Sequence, residues 1–344
     1  MNRVYEIAQE GLAKARKVVL YGAGLAALGI LEESGLPVAY LVDDTPGRSG
    51  RKLPNGLAVH SSDHLRQEAK GEVFILISAW TQNGIRTISE RLQQMGFRFA
   101  EDFADCSILH FDTISAKLRS HLGLKVDLDL FSACRLWFLS CSDSSISSTA
   151  GTWLFVELMR WLEGRTGGKV AECGVYQGGN AFLALMLSRE LRARSYQLFD
   201  SFQGFPELSS HDPQSRRDDF RDANLAAVTA RMTPFANVEI HRGYFSETFA
   251  ALADAAYALV YVDCDLYQAT MECLDHFYPR LNRGGILLLH DFWLPREEAS
   301  RALGLDLYQG VQRACRDYFG SEFSKRMLVF PETTHGLMVK DWPE

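Results

Sequence analysis

The sequence predicts an α/β protein built from two Rossmann-like units in tandem. Three observations carry that prediction. Near the N-terminus, Gly22, Gly24 and Ala27 form a G-x-G-x-x-A turn between an apolar run and a helical stretch. In the second half, Glu172, Gly174 and Gly178 form an E-x-G-x-x-x-G turn in the same setting. From there onward, apolar runs of strand length alternate with stretches of helical period, the pattern of a parallel sheet covered by helices.

A chain of 344 residues suits two domains. The expected division is a nucleotide-binding-type unit over 1–105, a helical linker over 106–147, and a second unit over 148–344. A hydrophobic fraction of 47% with 23% charged residues is that of a globular protein. The net charge of −7, without a long basic run, argues against nucleic acid or an anionic membrane surface as the main partner. No apolar stretch reaches the ~18 residues of a membrane-spanning helix, so no insertion is expected. Seven cysteines, odd in number and without a C-x-x-C pair, suit a reduced cytoplasmic chain and no zinc site. The N-terminal stretch is charged and amphipathic and has no apolar signal core.

In the first unit, Val18 to Tyr21 reads as a buried strand, followed by the glycine turn and a helix to about Glu33. Gly35 stops that helix, and Val38 to Val42 is a second strand ending in Asp43 and Asp44. An acid about 20 residues after the first glycine suits a ribose hydroxyl, so Gly22, Gly24 and Asp43 form a candidate nucleotide site. Strand-to-helix packing alone explains the same glycines. "VFILISA" (73–79) is a further strand, and the stretch after it forms a loop and a helix. "TISAKLRSHLGL" (113–124) is helical, and "SCSDSSISSTAG" (140–151) is a Ser-rich loop.

The second unit opens with a helix from Trp153 to Leu162 and the strand "KVAECGV". Its glycine turn is the kind that receives S-adenosylmethionine: glycines admit the methionine portion, and Glu172 can face its ammonium group. Tyr176 lies within that turn. A tight strand–helix turn is again the bland alternative. The next strand ends at Asp200, 28 residues beyond Glu172 and followed by Ser201, where an acid can accept from both ribose hydroxyls. "VEIHRGYFSETF" (238–249) brings Tyr244 and Phe245 to a position where they can pack on adenine. "YALVYVDCD" and "GGILLLHDF" are the fourth and fifth strands.

Asp200, Asp263, Asp265 and Asp291 therefore all fall at or just past carboxyl ends of strands, where ligands of such sheets bind. Clustered carboxylates repel unless a cation or a proton is shared. Asp263 and Asp291, from neighbouring strands, suit a hard divalent ion. His290 is a ligand, a base or a packing residue. Asp265 is a catalytic acid–base group or the N-cap of the helix that follows. The polar segment 206–225 reads as a lid or as a surface loop.

"VAECGVYQGGN", "LFDSFQGFPE", "GYFSETF", "VDCDLYQATMECLDHFYPRLNRGGILLLHDF" and "GVQRACRDYF" together resemble the macrocin O-methyltransferase family over about residues 148–342. The resemblance implies the class I methyltransferase fold, S-adenosylmethionine and magnesium as cofactors, and a sugar or glycoside hydroxyl as acceptor. It implies that Asp263 and the His290–Asp291 pair hold the metal and that Asp265 is the general base. His290 stands where that family usually has aspartate, and magnesium binds imidazole poorly.

The reaction so implied is transfer of a methyl group to a hydroxyl, with the protein supplying orientation and electrostatics. The first unit then either holds a nucleotide-bearing acceptor or fixes subunit pairing in a homo-oligomer. Two other readings stand beside this one: a nucleotide-sugar-binding oxidoreductase, which lacks an evident Tyr-x-x-x-Lys or cysteine nucleophile, and a non-catalytic ligand-binding assembly protein.

Overall fold

The computed structural model describes residues 2–79, 81–140, 148–206, 208–212, 219–252, 254–305, 307 and 309–341. Most of the Ser-rich loop and part of the segment read as a lid lie outside them. The chain packs as two units. The first comprises Met1–Ala150, Pro295–Asp306 and Pro331–Thr333; the second comprises Gly151–Leu294, Leu307–Phe330 and Thr334–Glu344.

The first unit runs α1 (Asn2–Lys14), β1 (Lys17–Tyr21), α2 (Leu25–Glu33), β2 (Val38–Val42), β3 (Val59–His60), β4 (Val73–Ile77), α3 (Gln82–Gln94), β5 (Phe103–Asp105), α4 (Ser107–Leu122) and α5 (Leu128–Ser140). Its strands lie in the order β3-β2-β1-β4-β5, and every pairing is parallel. A parallel sheet is covered on both faces, which is why β4 is apolar at every position and wholly buried. β3 and β5 have two and three residues, too few for a period to register in the sequence. The stretch expected to be a linker forms α4 and α5. Ile114, Leu118, Phe131 and Cys134 are buried there, so this unit extends past residue 105.

The same unit also takes in two segments from late in the sequence. Pro331–Thr333 lies against α2, where Gly29 leaves room for its backbone. A Cβ on Gly29 would stand 2.6 Å from the Pro331 carbonyl oxygen. Glu332 of this segment is buried, 3.8 Å from Lys117, which also pairs with Glu33 of α2 at 2.7 Å.

The second unit runs α6 (Thr149–Leu162), β6 (Lys169–Cys173), α7 (Gly179–Leu187), α8 (Arg189–Arg192), β7 (Tyr196–Asp200), α9 (Leu225–Met232), β8 (Val238–Arg242), α10 (Phe245–Thr248), β9 (Tyr257–Val262), α11 (Tyr267–Phe277) and β10 (Leu281–Leu289). α12 (Glu297–Leu303) belongs to the first unit; α13 (Gly310–Phe319), β11 (Leu328–Phe330) and β12 (His335–Val339) complete the second. The sheet order is β11-β12-β10-β9-β6-β7-β8, the class I methyltransferase fold. β12 is antiparallel to both β10 and β11, an edge arrangement that the sequence pattern did not announce.

Register decides which side chains meet. Glu172 pairs with Tyr261, Tyr261 with Leu288, and Leu289 with Gly336. Side chains alternate along a strand. Glu172, Tyr261, Asp263, His290 and His335 therefore share one face at the carboxyl end of the sheet. Among the described residues, no helix is long and apolar enough to cross a membrane.

Gly29→Ala forces the new methyl group against backbone that cannot rotate away. Overpacking of this kind costs about 1–3 kcal/mol, so urea unfolding should show a lower midpoint. A wild-type midpoint would mean that Pro331–Thr333 does not seat on α2.

Candidate active site

The turn after β6 is gripped by Asp200 at the end of β7. Its Oδ2 accepts from the backbone N–H of Val175 at 2.9 Å and of Tyr176 at 2.8 Å, while Oδ1 accepts from Phe202 at 2.7 Å. Burial raises the Asp200 carboxyl, and these three donors act against that shift. Three of about four lone-pair directions are thus used within the protein. The acid expected at a ribose first of all shapes the glycine turn. Ser201 is also engaged, donating to Gly204 O at 2.8 Å and accepting from Gln203 N at 3.1 Å.

Gly174 has φ +93, and a Cβ there would overlap the Asp263 carbonyl oxygen. Its own N–H donates to Phe199 O at 2.9 Å, and Asp263 N donates to Cys173 O at 2.8 Å. The glycine turn and the D-x-D segment therefore meet backbone to backbone. Gly178 (φ +74) caps α7 against Val228 and Met232. Tyr176 (φ +49) donates to Asp222 at 2.6 Å and lies edge-on to Phe220 at 5.5 Å.

Glu172 is buried beneath this turn and accepts from the Tyr196 hydroxyl and, at 3.2 Å, from Asn180. Burial pushes it up to about 8 despite those two donors. Tyr244 is the N-cap of α10. Phe245 does not line an open rim: it is buried and stacked on Phe249 at 5.0 Å with nearly parallel rings. Its apolar ring is part of the core, which a motif of polar and aromatic residues could not reveal.

Asp263, Asp265, His290 and Asp291 converge, each offering a ligand atom within 4.8 Å of the others. Asp265 does not cap α11. The N-cap position falls on Leu266, and Asp212 accepts from Tyr267 N at 2.9 Å instead. Asp265 (φ +63) and Asp291 (φ +48) both adopt the left-handed conformation, as do Tyr176, Phe202 and Thr334. Side chains rarely hold such backbone outside sites that the surrounding fold over-determines.

His290 Nδ1 lies 2.9 Å from Asp263 Oδ1 and 3.4 Å from Asp291 Oδ1, yet is out of line for a hydrogen bond with either. Thr334 Oγ1 lies 3.3 Å from His290 Nε2 and donates to Asp291 at 3.4 Å. Burial opposes charge on His290, but Asp263 and Asp291 outweigh it and hold the imidazole well above its ordinary range. Asp291 goes the other way: burial would raise it, and His290 brings it down to about 2. Burial and then the charge of Asp291 drive Asp265 well up. The cluster can thus hold an imidazolium between two carboxylates with a proton on Asp265.

The same atoms fit a divalent cation. Ligands at 2.0–2.1 Å from an octahedral ion stand roughly 3 Å apart, and the four side chains here each offer an atom within 4.8 Å of the others. The donor set, three carboxylates and one imidazole, suits an oxygen-preferring ion that tolerates nitrogen better than it suits a soft one.

Two residues that the motifs did not single out belong to this face. The Tyr261 hydroxyl donates to Asp263 Oδ2 at 3.0 Å and lies 3.2 Å from His335 Nε2. Tyr261 sits inside an apolar strand run, and His335 sits on a strand that the pattern did not reveal.

In the first unit, Asp43 repeats the Asp200 arrangement. It accepts from Ala23 N at 2.7 Å, Thr45 N at 2.8 Å and Arg48 at 3.1 Å. Gly22 (φ +118) packs on Ser78, whose hydroxyl donates to its carbonyl at 2.7 Å, and Gly24 faces open space. The acid proposed for a ribose thus occupies an N–H of the very turn that would receive phosphate. Asp44 pairs with Arg91 and Tyr21.

Comparison with known proteins follows the motifs. Residues 160–304 match the family model described as macrocin O-methyltransferase (TylF), which bears out the resemblance over that span. A mycinamicin III 3''-O-methyltransferase of Micromonospora griseorubida is 31% identical over 143 residues, 37% of this chain and 56% of that protein. A demethyldecarbamoylnovobiocin O-methyltransferase of Streptomyces niveus is 26% identical over 149 residues, 37% of this chain and 53% of that one. This chain therefore spans about half the length of the curated relatives it matches. Among solved structures, the O-methyltransferase NovP aligns at 18% identity and a TM-score of 0.46, over 69% of this chain and 100% of that one.

A raised carboxyl stabilises the fold below its unfolded value and loses that contribution as pH rises through its folded value. For Glu172 the loss runs from about 4.5 to about 8. Glu172→Gln abolishes this titration, so the variant should gain on the wild type as pH rises from 5 to 9 in the absence of ligand. Thermal unfolding reads it, with about 2–4 °C for each kcal/mol in a unit of this size. A pH-independent difference would mean that Glu172 keeps its charge in the fold.

Proposed function

We propose that this chain is an S-adenosylmethionine-dependent O-methyltransferase acting on a hydroxyl of a sugar or glycosylated natural product. One observation carries the reading: the close approach at Gly174 sets the glycine turn directly beside the Asp263–Asp265–His290–Asp291 cluster. The family match over 160–304 and the curated relatives, both named as O-methyltransferases, support it.

When bound, S-adenosylmethionine supplies a methyl group on a sulfonium. The cofactor site is assigned to Glu172, Gly174, Tyr176, Gly178, Asp200, Ser201 and Tyr244. Asp200 contributes mainly by fixing the N–H groups of the turn. The acceptor hydroxyl loses its proton as its oxygen takes the methyl group. Asp265 is placed to receive that proton in its ionised form, which requires the cluster to release the proton that burial and Asp291 favour on it in the absence of ligand. Asp263, His290 and Asp291 would hold a divalent cation, magnesium by the resemblance, which would lower the pKa of a coordinated hydroxyl. The six described cysteines are all buried and none is joined in a disulfide, in keeping with a reduced, cytoplasmic setting.

Asp265→Asn should lower turnover by about 10²–10⁴-fold, the range for a lost general base, while calorimetry shows unchanged S-adenosylmethionine affinity. Asp263→Asn should weaken divalent-ion affinity and turnover together. The assay is transfer of labelled methyl to a panel of glycosides. Wild-type protein that neither binds S-adenosylmethionine nor labels any glycoside would refute the function. Wild-type turnover in Asp265→Asn would remove Asp265 as the base.

A further inference from the structure

We propose that Tyr261 and His335 are positioning residues for Asp263, forming a one-way hydrogen-bond chain from the His335 ring through the Tyr261 hydroxyl to the carboxylate. This rests on the reading of the Asp263 cluster as the site of methyl transfer.

Sheet register brings the three together. Tyr261 of β9 lies beside Leu288 of β10, two residues before His290, while Leu289 lies opposite Gly336 of β12. His335 therefore faces His290 across the antiparallel pair, on the side that carries Tyr261 and Asp263. The rings confirm this arrangement: His335 stacks on Tyr261 at 5.7 Å and meets His290 edge-on at 4.8 Å. Tyr261 and His335 are each 2% exposed, and Phe155 of α6 closes over Tyr261 at 5.7 Å. Neither ring has room to swing.

The direction of the chain follows from the inventory of protons. An ionised carboxylate only accepts. The single hydroxyl proton of Tyr261 therefore goes to Asp263 Oδ2, at 3.0 Å. The oxygen left behind can only accept from His335 Nε2, at 3.2 Å. His335 must then carry a proton on Nε2. With Oδ2 held in this way, the Asp263 carboxyl plane is fixed and Oδ1 faces His290 Nδ1 at 2.9 Å. A tyrosine serving only as core filler would need its ring and no hydroxyl.

The test separates hydroxyl from ring. Tyr261→Phe keeps the volume and should lower kcat about 10–100-fold, the range for partners that orient a functional ligand, with KM and S-adenosylmethionine affinity little changed. His335→Gln can still donate to Tyr261 and should lose less than His335→Leu. In the Tyr261→Phe background, His335→Leu should add nothing, since the chain is already broken. Circular dichroism and the unfolding midpoint establish that each variant is folded. Histidine 15N NMR of the wild type should show His335 as the Nε2–H tautomer, with that resonance displaced in Tyr261→Phe. This last readout needs no turnover, so an inactive wild type would count against the proposed function while the tautomer still decides the chain. Wild-type kcat in folded Tyr261→Phe, additive losses in the double variant, or an Nδ1–H tautomer at His335 would each overturn the proposal.

Discussion

No side chain fits at position 174. The residue there must adopt a positive φ while its α-carbon presses against the Asp263 carbonyl, and only glycine meets both conditions. The rest of the site depends on that contact. The backbone ends of three strands interlock there, with Asp263 N after β9 on Cys173 O of β6 and Gly174 N after β6 on Phe199 O of β7. The distance between the glycine turn and the carboxylate cluster is thereby set by main chain. Groups held by main chain in this way need little reorganisation to meet a ligand bound between them.

Bringing so many acids to one rim raises an electrostatic problem, and each acid meets it differently. Asp200 is solvated by three backbone N–H groups. Glu172 keeps its proton under burial, Asp291 is compensated by His290, and Asp265 shares its burden with Asp291. Asp263, Asp265, His290 and Asp291 are thus close enough to one another that their charges must be balanced within the cluster. Left-handed backbone at Asp265 and Asp291 shows that the fold pays conformational energy to aim these two groups.

The first unit shows how little a shared scaffold dictates. It has the same glycine turn and the same acid at the end of its second strand. In both units the carboxylate turns back to hold the N–H groups of the turn: Ala23 for Asp43, and Val175 with Tyr176 for Asp200. Arg48 accompanies Asp43, whereas the second turn opens beside a cluster of acids. Function therefore resides in what stands next to the turn, not in the turn itself.

The sequence by itself determined both Rossmann-like units, the strands of the second sheet from β6 to β10, and the gathering of Asp263, Asp265 and Asp291 at one rim, while the place of His290 among them came from the structure. Those features are local: apolar runs of strand length, glycines at turns, and acids at run ends. Tertiary structure alone decided the roles. Asp265 is freed from capping because Asp212, 55 residues away in sequence, takes the Tyr267 N–H. Phe245 became core because Phe249 stacks on it. Tyr261 and His335 meet only through the antiparallel pairing of β12 with β10. Residues 331–333 joined the first unit because Gly29 admits their backbone. Each of these contacts joins residues by register or close approach, and a one-dimensional pattern carries neither.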